Sequence, residues 1–203
     1  YLKAYSKILS KPHIILGNEI EVLTDFHSNG SYESIAKIFE LLDIEDYAYM
    51  VRTTDLENDN YTDNVKYVTK KCYEYLKKSK VYGGELIINK IGSPGRSFLM
   101  PNLNRPVSLG MNQFMIRTNT NHVLEAFLWV YFNSTIGKKI IYRKVNGTVP
   151  LTIDKESVRS LPVPDFTIDF QRKIASYVNR ANEIKLRSKE KYEEAERLLL
   201  AEL

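Results

Sequence analysis

The pattern of hydrophobic and polar positions predicts a series of short strands over the first part of the chain. Aliphatic and aromatic runs bounded by Gly, Pro or Asn are typical of strands. We predict strands at residues 13–16, 47–52, 65–68, 85–91, 96–100 and 113–117. The GSPG turn between the fourth and fifth of these makes them a hairpin. The polar, turn-rich segment 55–62 is predicted to be a loop.

Apolar residues three and four positions apart predict helices at 30–42, 70–80, 121–133 and 135–144. The helix at 121–133 is apolar on most sides, so we expect it to be largely buried. LPVP at 161–164 is expected to be extended, because each proline biases the residue before it away from helix. Together these elements predict an α+β (mixed α/β) fold with a twisted, mainly antiparallel sheet and packed helices.

The last segment, 168–203, is predicted to be one long helix, with Thr167 suited to its N-cap. A narrow stripe of apolar or small residues is typical of a helix that packs along another helix. The stripe consists of Ile174, Val178, Ala181, Ile184, Ser188, Tyr192, Ala195 and Leu199. Such a helix is about 50 Å long, longer than a compact domain needs. We therefore predict a globular body at 1–164 and a coiled-coil-like arm at 165–203.

Composition and charge change this picture little. Of the 203 residues, 43% are hydrophobic and 27% charged, which is ordinary for a soluble globular protein. The net charge of +4 fits an anionic partner without requiring one. The single cysteine, Cys72, excludes an internal disulfide and favours a reducing, cytoplasmic compartment.

Targeting signals are not predicted. No stretch reaches the ~18 apolar residues that span a bilayer, so no membrane partner is expected. The start, YLKAYSKILSK, has neither a clean apolar core nor a cleavage site and does not resemble a signal peptide. The chain begins without Met, which fits a processed or excised piece of a longer protein.

The loop KIGSPGR at 90–96 carries the clearest candidate chemistry. Two glycines, one of them Gly95, and Ser93 leave backbone N–H groups open to an anion, and Lys90 and Arg96 flank them with positive charge. Such a turn can approach a phosphate closely or place an arginine in a DNA groove. An ordinary hairpin turn with solvated charges is the alternative.

Basic clusters lie on both sides of this hairpin in sequence. The first comprises Lys138, Lys139, Arg143 and Lys144 beside Tyr142, and leads into Asn146, Gly147 and Thr148. Basic groups next to Asn and Thr can hold a phosphate backbone and read base edges, whereas a solvated helix face is the alternative. The second comprises Lys66, Lys70, Lys71, Lys77, Lys78 and Lys80 with Tyr73 and Tyr75. We expect one shared basic surface, with 53–60 as a further candidate for base reading.

Enzyme signatures are weak. The chain has no Walker loop, no GxGxxG and no Asn/Asp-Pro-Pro-Tyr/Phe motif. The histidines are isolated and lack metal-ligand spacing; they are His13, His27 and His122. Pro164-Asp165 followed by Glu183-Ile184-Lys185 matches a loose nuclease pattern, but helical rise separates the two parts by about 27 Å. We therefore predict no catalytic, metal or cofactor site, and we expect Cys72 to be a structural thiol.

GGELIINKIGSPGR resembles the strand and loop of target-recognition domains in the specificity subunits of type I restriction–modification systems. The later segments follow in a similar order: NHVLEAFLWVYFNSTIGKKI, the NGT turn, LTIDKESVRSLPVPDF, and QRKIASYV opening at Gln171. Phe170 stands where the family usually has Glu, and the prolines are separated as PVP. The resemblance covers nearly the whole chain, most clearly from Asp46 onward.

This resemblance implies a non-catalytic module that reads one half of a split double-stranded DNA sequence. The long helix would pack antiparallel against a partner helix. Modification subunits would bring S-adenosylmethionine and the N6-adenine methyltransferase site, and a restriction subunit can join. The loop match and the local charge nominate the DNA-binding residues, which are Lys90, Ser93, Gly95, Arg96, Lys138, Lys139, Arg143, Asn146 and Thr148.

Several forms of such a module remain open from the sequence. It fits a half-length subunit that forms a homodimer, the C-terminal half of a longer subunit, or the specificity tail of a fused methyltransferase. The resemblance also implies a prokaryotic, cytoplasmic protein. Two rival functions are a protein–protein scaffold that uses only the arm, and an enzyme, either a nuclease or a lone methyltransferase.

Overall fold

A computed structural model describes residue 6 and residues 8–203 of the chain. Residues 1–5 and 7 lie outside the described residues, and so does most of the start on which we based the expectation of no signal peptide. Within the described residues, two four-stranded sheets and one two-stranded ladder pack with helices. The predicted α+β fold, mainly antiparallel and ending in a long helix, is confirmed.

The elements have the following bounds. The strands are β1 (His13–Ile15), β2 (Ile20–Asp25), β3 (Ala48–Val51), β4 (Tyr67–Val68), β5 (Lys80–Val81), β6 (Leu86–Asn89), β7 (Ser97–Leu99), β8 (Val107–Leu109), β9 (Gln113–Thr118) and β10 (Pro162–Pro164). The α-helices are α1 (Tyr32–Ala36), α2 (Thr53–Asn58), α3 (Lys70–Tyr75), α4 (Glu125–Asn133), α5 (Thr135–Tyr142), α6 (Lys155–Arg159) and α7 (Ile168–Ala201). Short 3-10 turns lie at Leu16–Asn18, Phe26–Asn29 and Lys77–Ser79.

The two sheets form the middle layers of the body. The first has the order β2-β9-β6-β7 and is antiparallel throughout. The second has the order β4-β3-β8-β5, in which β3 and β8 run parallel and the other neighbours antiparallel. The predicted hairpin is confirmed, since β6 and β7 pair directly through Leu86 with Leu99 and Ile88 with Ser97.

Alternation along β6 shows how the layers pack. Leu86 and Ile88 belong to a core shared with α4 and α5, whereas Ile87 belongs to the core between the two sheets. Strand residues alternate between the faces of a sheet, so this strand serves both cores. A third core lies on the far side of the second sheet, where Met50 meets Cys72 of α3. The body is therefore layered in the order α4 and α5, first sheet, second sheet, α3.

Three predicted boundaries are wrong. Residues 55–58 of the predicted loop 55–62 belong to helix α2, because the Asp55 carboxylate accepts the Arg52 backbone N–H at 2.7 Å and Leu56 is buried. The helix predicted at 30–42 is only α1, and Leu42 instead bridges to Tyr67. The helix predicted at 70–80 ends early, since Lys80 begins β5.

The ladder of β1 and β10 closes the body and leads into the arm. His13 pairs with Pro164, and Ile15 with Pro162, which confirms the extended LPVP segment. Thr167 then caps α7 by accepting the Phe170 N–H. No helix among the described residues is long and apolar enough to cross a bilayer.

The first turns of α7 are anchored to the body. Gln171 and Val178 are buried, and Ile174 packs against the core shared by α4 and α5. The Gln171 side chain accepts the Leu124 N–H at 3.0 Å and donates to the His122 and Phe166 carbonyls, each at 2.9 Å. Beyond Val178 the helix is exposed.

Candidate nucleic-acid interface

The loop between β6 and β7 is held by its own backbone. The Gly95 N–H donates to the Asn89 carbonyl at 2.9 Å, and the Arg96 N–H donates to the Ser93 carbonyl at 3.2 Å. Gly95 has a φ of 83°, and a Cβ there would lie 3.1 Å from Ile141 of α5. Glycine is therefore required where the loop meets this helix. The Gly95 N–H, one of those that we expected to face an anion, is therefore used inside the loop.

The loop and α5 face each other across a groove of about 490 Å³. Its lining includes four of the predicted residues, namely Ser93, Gly95, Arg96 and Lys138. A second groove of about 380 Å³ shares Lys138 and adds Lys139. The structure thus brings the hairpin loop and the first basic cluster onto one surface, which we call the loop–α5 surface and define as residues 92–96 with 133–142.

The turn that carries Asn146 and Thr148 is tied to the same loop. Asn146 and Thr152 exchange backbone hydrogen bonds at 2.8 Å each, and Thr152 also bridges to Ile91. The Ile153 N–H donates to the Lys90 carbonyl at 3.0 Å. Asn146 and Thr148 are exposed on this turn, and Arg143 is exposed at the C-terminal end of α5. These three candidates therefore lie at the edge of the loop–α5 surface.

Lys90 differs from the other candidates because its ammonium group is paired inside the body. It lies 3.1 Å from the Asp25 carboxylate, which Lys155 of α6 also contacts at 3.1 Å and to which the Ser28 hydroxyl donates. Burial alone would raise the pKa of Asp25, but the hydrogen bonds from Ser28, Lys90 and Lys155 lower that pKa to about 2. The charge of Lys90 is thus directed toward Asp25.

Arg96 has an acidic neighbour that sequence reasoning missed. Its guanidinium lies 3.2 Å from Glu57 of α2 and 5.5 Å from the centre of the Phe98 ring. Segment 53–60, our further candidate for base reading, therefore adjoins the loop–α5 surface. No local signal distinguishes Glu57 within the polar run 55–62, because its partners lie more than 30 positions away in the sequence.

The second lysine cluster lies elsewhere. Lys66 pairs with Asp43, Lys80 lies 4.1 Å from the Tyr73 ring centre, and Lys70 lies 5.5 Å from that of Tyr47. Helix α3 packs on the far side of the second sheet, whereas α5 packs on the first. The expectation that both clusters form one surface is therefore wrong for the lysines of α3.

The predicted assembly stripe on α7 divides into two parts. Ile174 and Val178 pack into the body, as described above. The remaining predicted residues lie on the exposed part of the arm; they are Ala181, Ile184, Tyr192 and Leu199. An open groove along this part is lined by Ala181, Ile184, Ser188 and Tyr192 with charged neighbours. We call the four exposed residues Ala181, Ile184, Tyr192 and Leu199 the upper stripe.

Neither the nuclease pattern nor the thiol gains support as a reactive site. Lys185 lies on the arm and pairs with Asp59, which follows α2. Among the described residues, no group of three or more His, Cys, Asp or Glu side chains is placed to hold a metal ion. Burial raises the pKa of the Cys72 thiol, in keeping with a structural role.

Comparison with known proteins identifies the architecture. No protein-family model matches the sequence, and no curated protein matches it significantly. The crystal structure of a type I restriction–modification S subunit from M. genitalium superposes with a TM-score of 0.53 at 12% identity. The HsdS subunit from Thermoanaerobacter tengcongensis gives a TM-score of 0.51 at 11% identity. This is the fold of type I S subunits.

The S-subunit likeness covers most of this chain but less than half of either relative. The match with the M. genitalium subunit covers 85% of this chain and 39% of that subunit. The match with the Thermoanaerobacter tengcongensis subunit covers 90% of this chain and 43% of that subunit. The chain therefore spans about two fifths of the length of these S subunits. At such low identity the likeness establishes the fold, in agreement with the resemblance seen in the sequence.

Proposed function

We propose that this chain is a target-recognition module of a type I restriction–modification specificity subunit, which binds double-stranded DNA in a sequence-specific way. The observation that carries the proposal is the loop–α5 surface, where Arg96, Lys138 and Lys139 meet on a body with the S-subunit fold. A positive surface with polar side chains at its edge suits a nucleic-acid partner.

The candidates divide by the chemistry of their side chains. Lys138, Lys139 and Arg143 supply charge for phosphate contacts, which contribute affinity and make it fall with salt. Arg96 has the donors, and Asn146 both the donor and the acceptor, that read base edges in a major groove. Ser93 and Thr148 offer hydroxyl groups for either task. Gly95 permits the close approach of the loop to α5, and Lys90 supports the loop from inside the body.

The module itself carries no catalysis in this proposal. Modification subunits that bind S-adenosylmethionine supply methylation of N6-adenine, and a restriction subunit joins them in the cytoplasm of a prokaryote. The exposed upper stripe of α7 packs against a helix of a second recognition module, which belongs to the same subunit or to a second copy of this chain. Its open apolar groove supports this role.

Alanine substitution tests the placement of the DNA surface. We expect Arg96→Ala and Lys139→Ala to weaken retention of a duplex selected from a randomised-core DNA library. Loss of a base-reading arginine costs about 1–3 kcal/mol, and loss of a phosphate contact lowers the salt slope by about one. Lys37→Ala is the control, because Lys37 is exposed near α1, outside this surface. If neither variant changes retention at moderate salt, the surface is placed wrongly.

Deletion of residues 183–203 distinguishes two functions for this chain, a DNA-reading module and a protein–protein scaffold that uses only the arm. The exposed apolar residues of α7 are the observation that favours the scaffold. A DNA reader keeps weak duplex binding after the deletion and loses assembly, as measured by light scattering. A scaffold shows no duplex binding before or after the deletion.

A further inference from the structure

The carboxylate of Glu57 lies between a buried strand and the exposed loop. One oxygen, Oε1, accepts the Asn89 side-chain amide at 3.1 Å and lies 3.2 Å from Nη1 of Arg96. Asn89 is completely buried, the Glu57 side chain is 25% exposed, and the Arg96 side chain is 50% exposed. The same oxygen therefore joins a fixed amide to an arginine that reaches solvent.

Helix α2, which carries Glu57, is fixed at both ends by the first sheet. Asn89 of β6 holds Glu57 near its C-terminal end. Gln113 of β9, the register partner of Asn89, is also completely buried and donates to the Thr53 hydroxyl at 3.3 Å. Because both amides belong to paired strands, Glu57 occupies a defined position, and its carboxylate lies 3.2 Å from Nη1 of Arg96.

The pair between Glu57 and Arg96 contributes little to stability. Exposed pairs between long charged side chains are screened by water and gain a small fraction of their Coulomb energy. A guanidinium has five N–H donors on three nitrogens, and Nη1 of Arg96 lies 3.2 Å from Glu57. Donors therefore remain for a bidentate contact with a second acceptor, such as the O6 and N7 edge of a guanine.

We propose that Glu57 is a positioning residue that makes Arg96 selective for a base edge over a phosphate. The inference rests on the proposed DNA-binding function. The carboxylate holds the guanidinium in one orientation, and its negative charge repels a phosphate that approaches the same arginine. Repulsion of the wrong acceptor raises specificity while it lowers total affinity. Glu57 thereby couples helix α2 to the loop–α5 surface.

The experiment compares binding to two duplexes, one selected by the intact chain from a randomised-core library and one of scrambled sequence. Glu57→Gln keeps the shape and the acceptor for Asn89 but removes the charge. We expect the Glu57→Gln variant to bind the scrambled duplex more tightly than the intact chain does. We also expect the ratio of selected to scrambled affinity to fall about tenfold, a change no larger than one bidentate arginine–base contact contributes. Glu45→Gln is the matched control, because it removes the same charge from a pair with Arg105 elsewhere.

A double-mutant cycle with Arg96 distinguishes positioning from a structural effect. In an Arg96→Ala background we expect Glu57→Gln to leave the affinity ratio unchanged, since Glu57 acts through that arginine. The inference is overturned if Glu57→Gln leaves the ratio of the intact chain unchanged. It is also overturned if Glu45→Gln lowers the ratio equally, or if Glu57→Gln still lowers it without Arg96. If the intact chain enriches no sequence and retains no duplex, the proposed function itself fails.

Discussion

Replacing Asp25 with asparagine removes the negative charge at which three separate elements meet. Asp25 ends β2, Lys90 follows β6 and Lys155 begins α6, and both ammonium groups lie 3.1 Å from the carboxylate. Burial opposes the charged form of Asp25, but the hydrogen bonds of Ser28 and the two lysines bring the pKa from 3.8 to about 2. The folded state therefore stabilises the charged carboxylate relative to the unfolded chain.

The size and the sign of this effect follow from proton linkage. Lowering the pKa of Asp25 from 3.8 to about 2 on folding corresponds to about 2 kcal/mol. Because the folded pKa is lowered, this stability is fully present above the unfolded value of 3.8 and is lost as the pH falls through about 2. We expect Asp25→Asn to lower the free energy of unfolding by about 2 kcal/mol at neutral pH, with about half of that difference left near pH 3.

Urea unfolding at several pH values measures this difference. Trp129 is the single tryptophan and packs against the core shared by α4 and α5, so its fluorescence reports on the body. Asp63→Asn is the control, because Asp63 is an exposed aspartate in the segment after α2. A loss for Asp25→Asn that stays constant from neutral pH to about pH 3 would refute the argument from charge and indicate a packing defect.

Two further predictions concern the anchor of the arm and the buried thiol. Gln171→Ala leaves the Leu124 N–H and two carbonyls without their side-chain partner, so we expect the free energy of unfolding to fall by about 2–4 kcal/mol. Exposed Asn182 provides the control Asn182→Ala, and equal effects of the two in urea unfolding would contradict the anchor. Burial raises the pKa of Cys72, so we expect a disulfide reagent to label it slowly in the native protein and rapidly in urea. Equal labelling rates would contradict this.

Sequence reasoning predicts the elements whose signal is local. The long helix, the hairpin of β6 and β7 and the buried helix α4 each have a continuous pattern of apolar positions, and the structure confirms them. Strand β2 is absent from the predicted strands although it has six residues. The strands β5 and β8 have two and three residues, which is too short to show a period. They are strands because they pair with each other and β8 also pairs with β3.

The candidate site shows the same division between local and long-range information. The loop at 92–96 is visible in sequence because glycine, proline and charge lie close together. The partner of Lys90 is Asp25, 65 positions away, and the partner of Arg96 is Glu57, 39 positions away. Several acidic residues could have paired with each cation, and tertiary packing decides which ones do. Strand β9 lies between β2 and β6 in the first sheet, and Asn89 of β6 binds Glu57 of α2.

The ladder of β1 and β10 has a consequence for how such a module can be exchanged. His13 pairs with Pro164, so the first and last strands of the body lie side by side, immediately before the arm begins. Adjacent chain ends are the condition under which a domain can be transplanted with little disturbance to its surroundings. A body of another sequence that keeps this one strand pair and its contact with α7 would therefore fit the same arm.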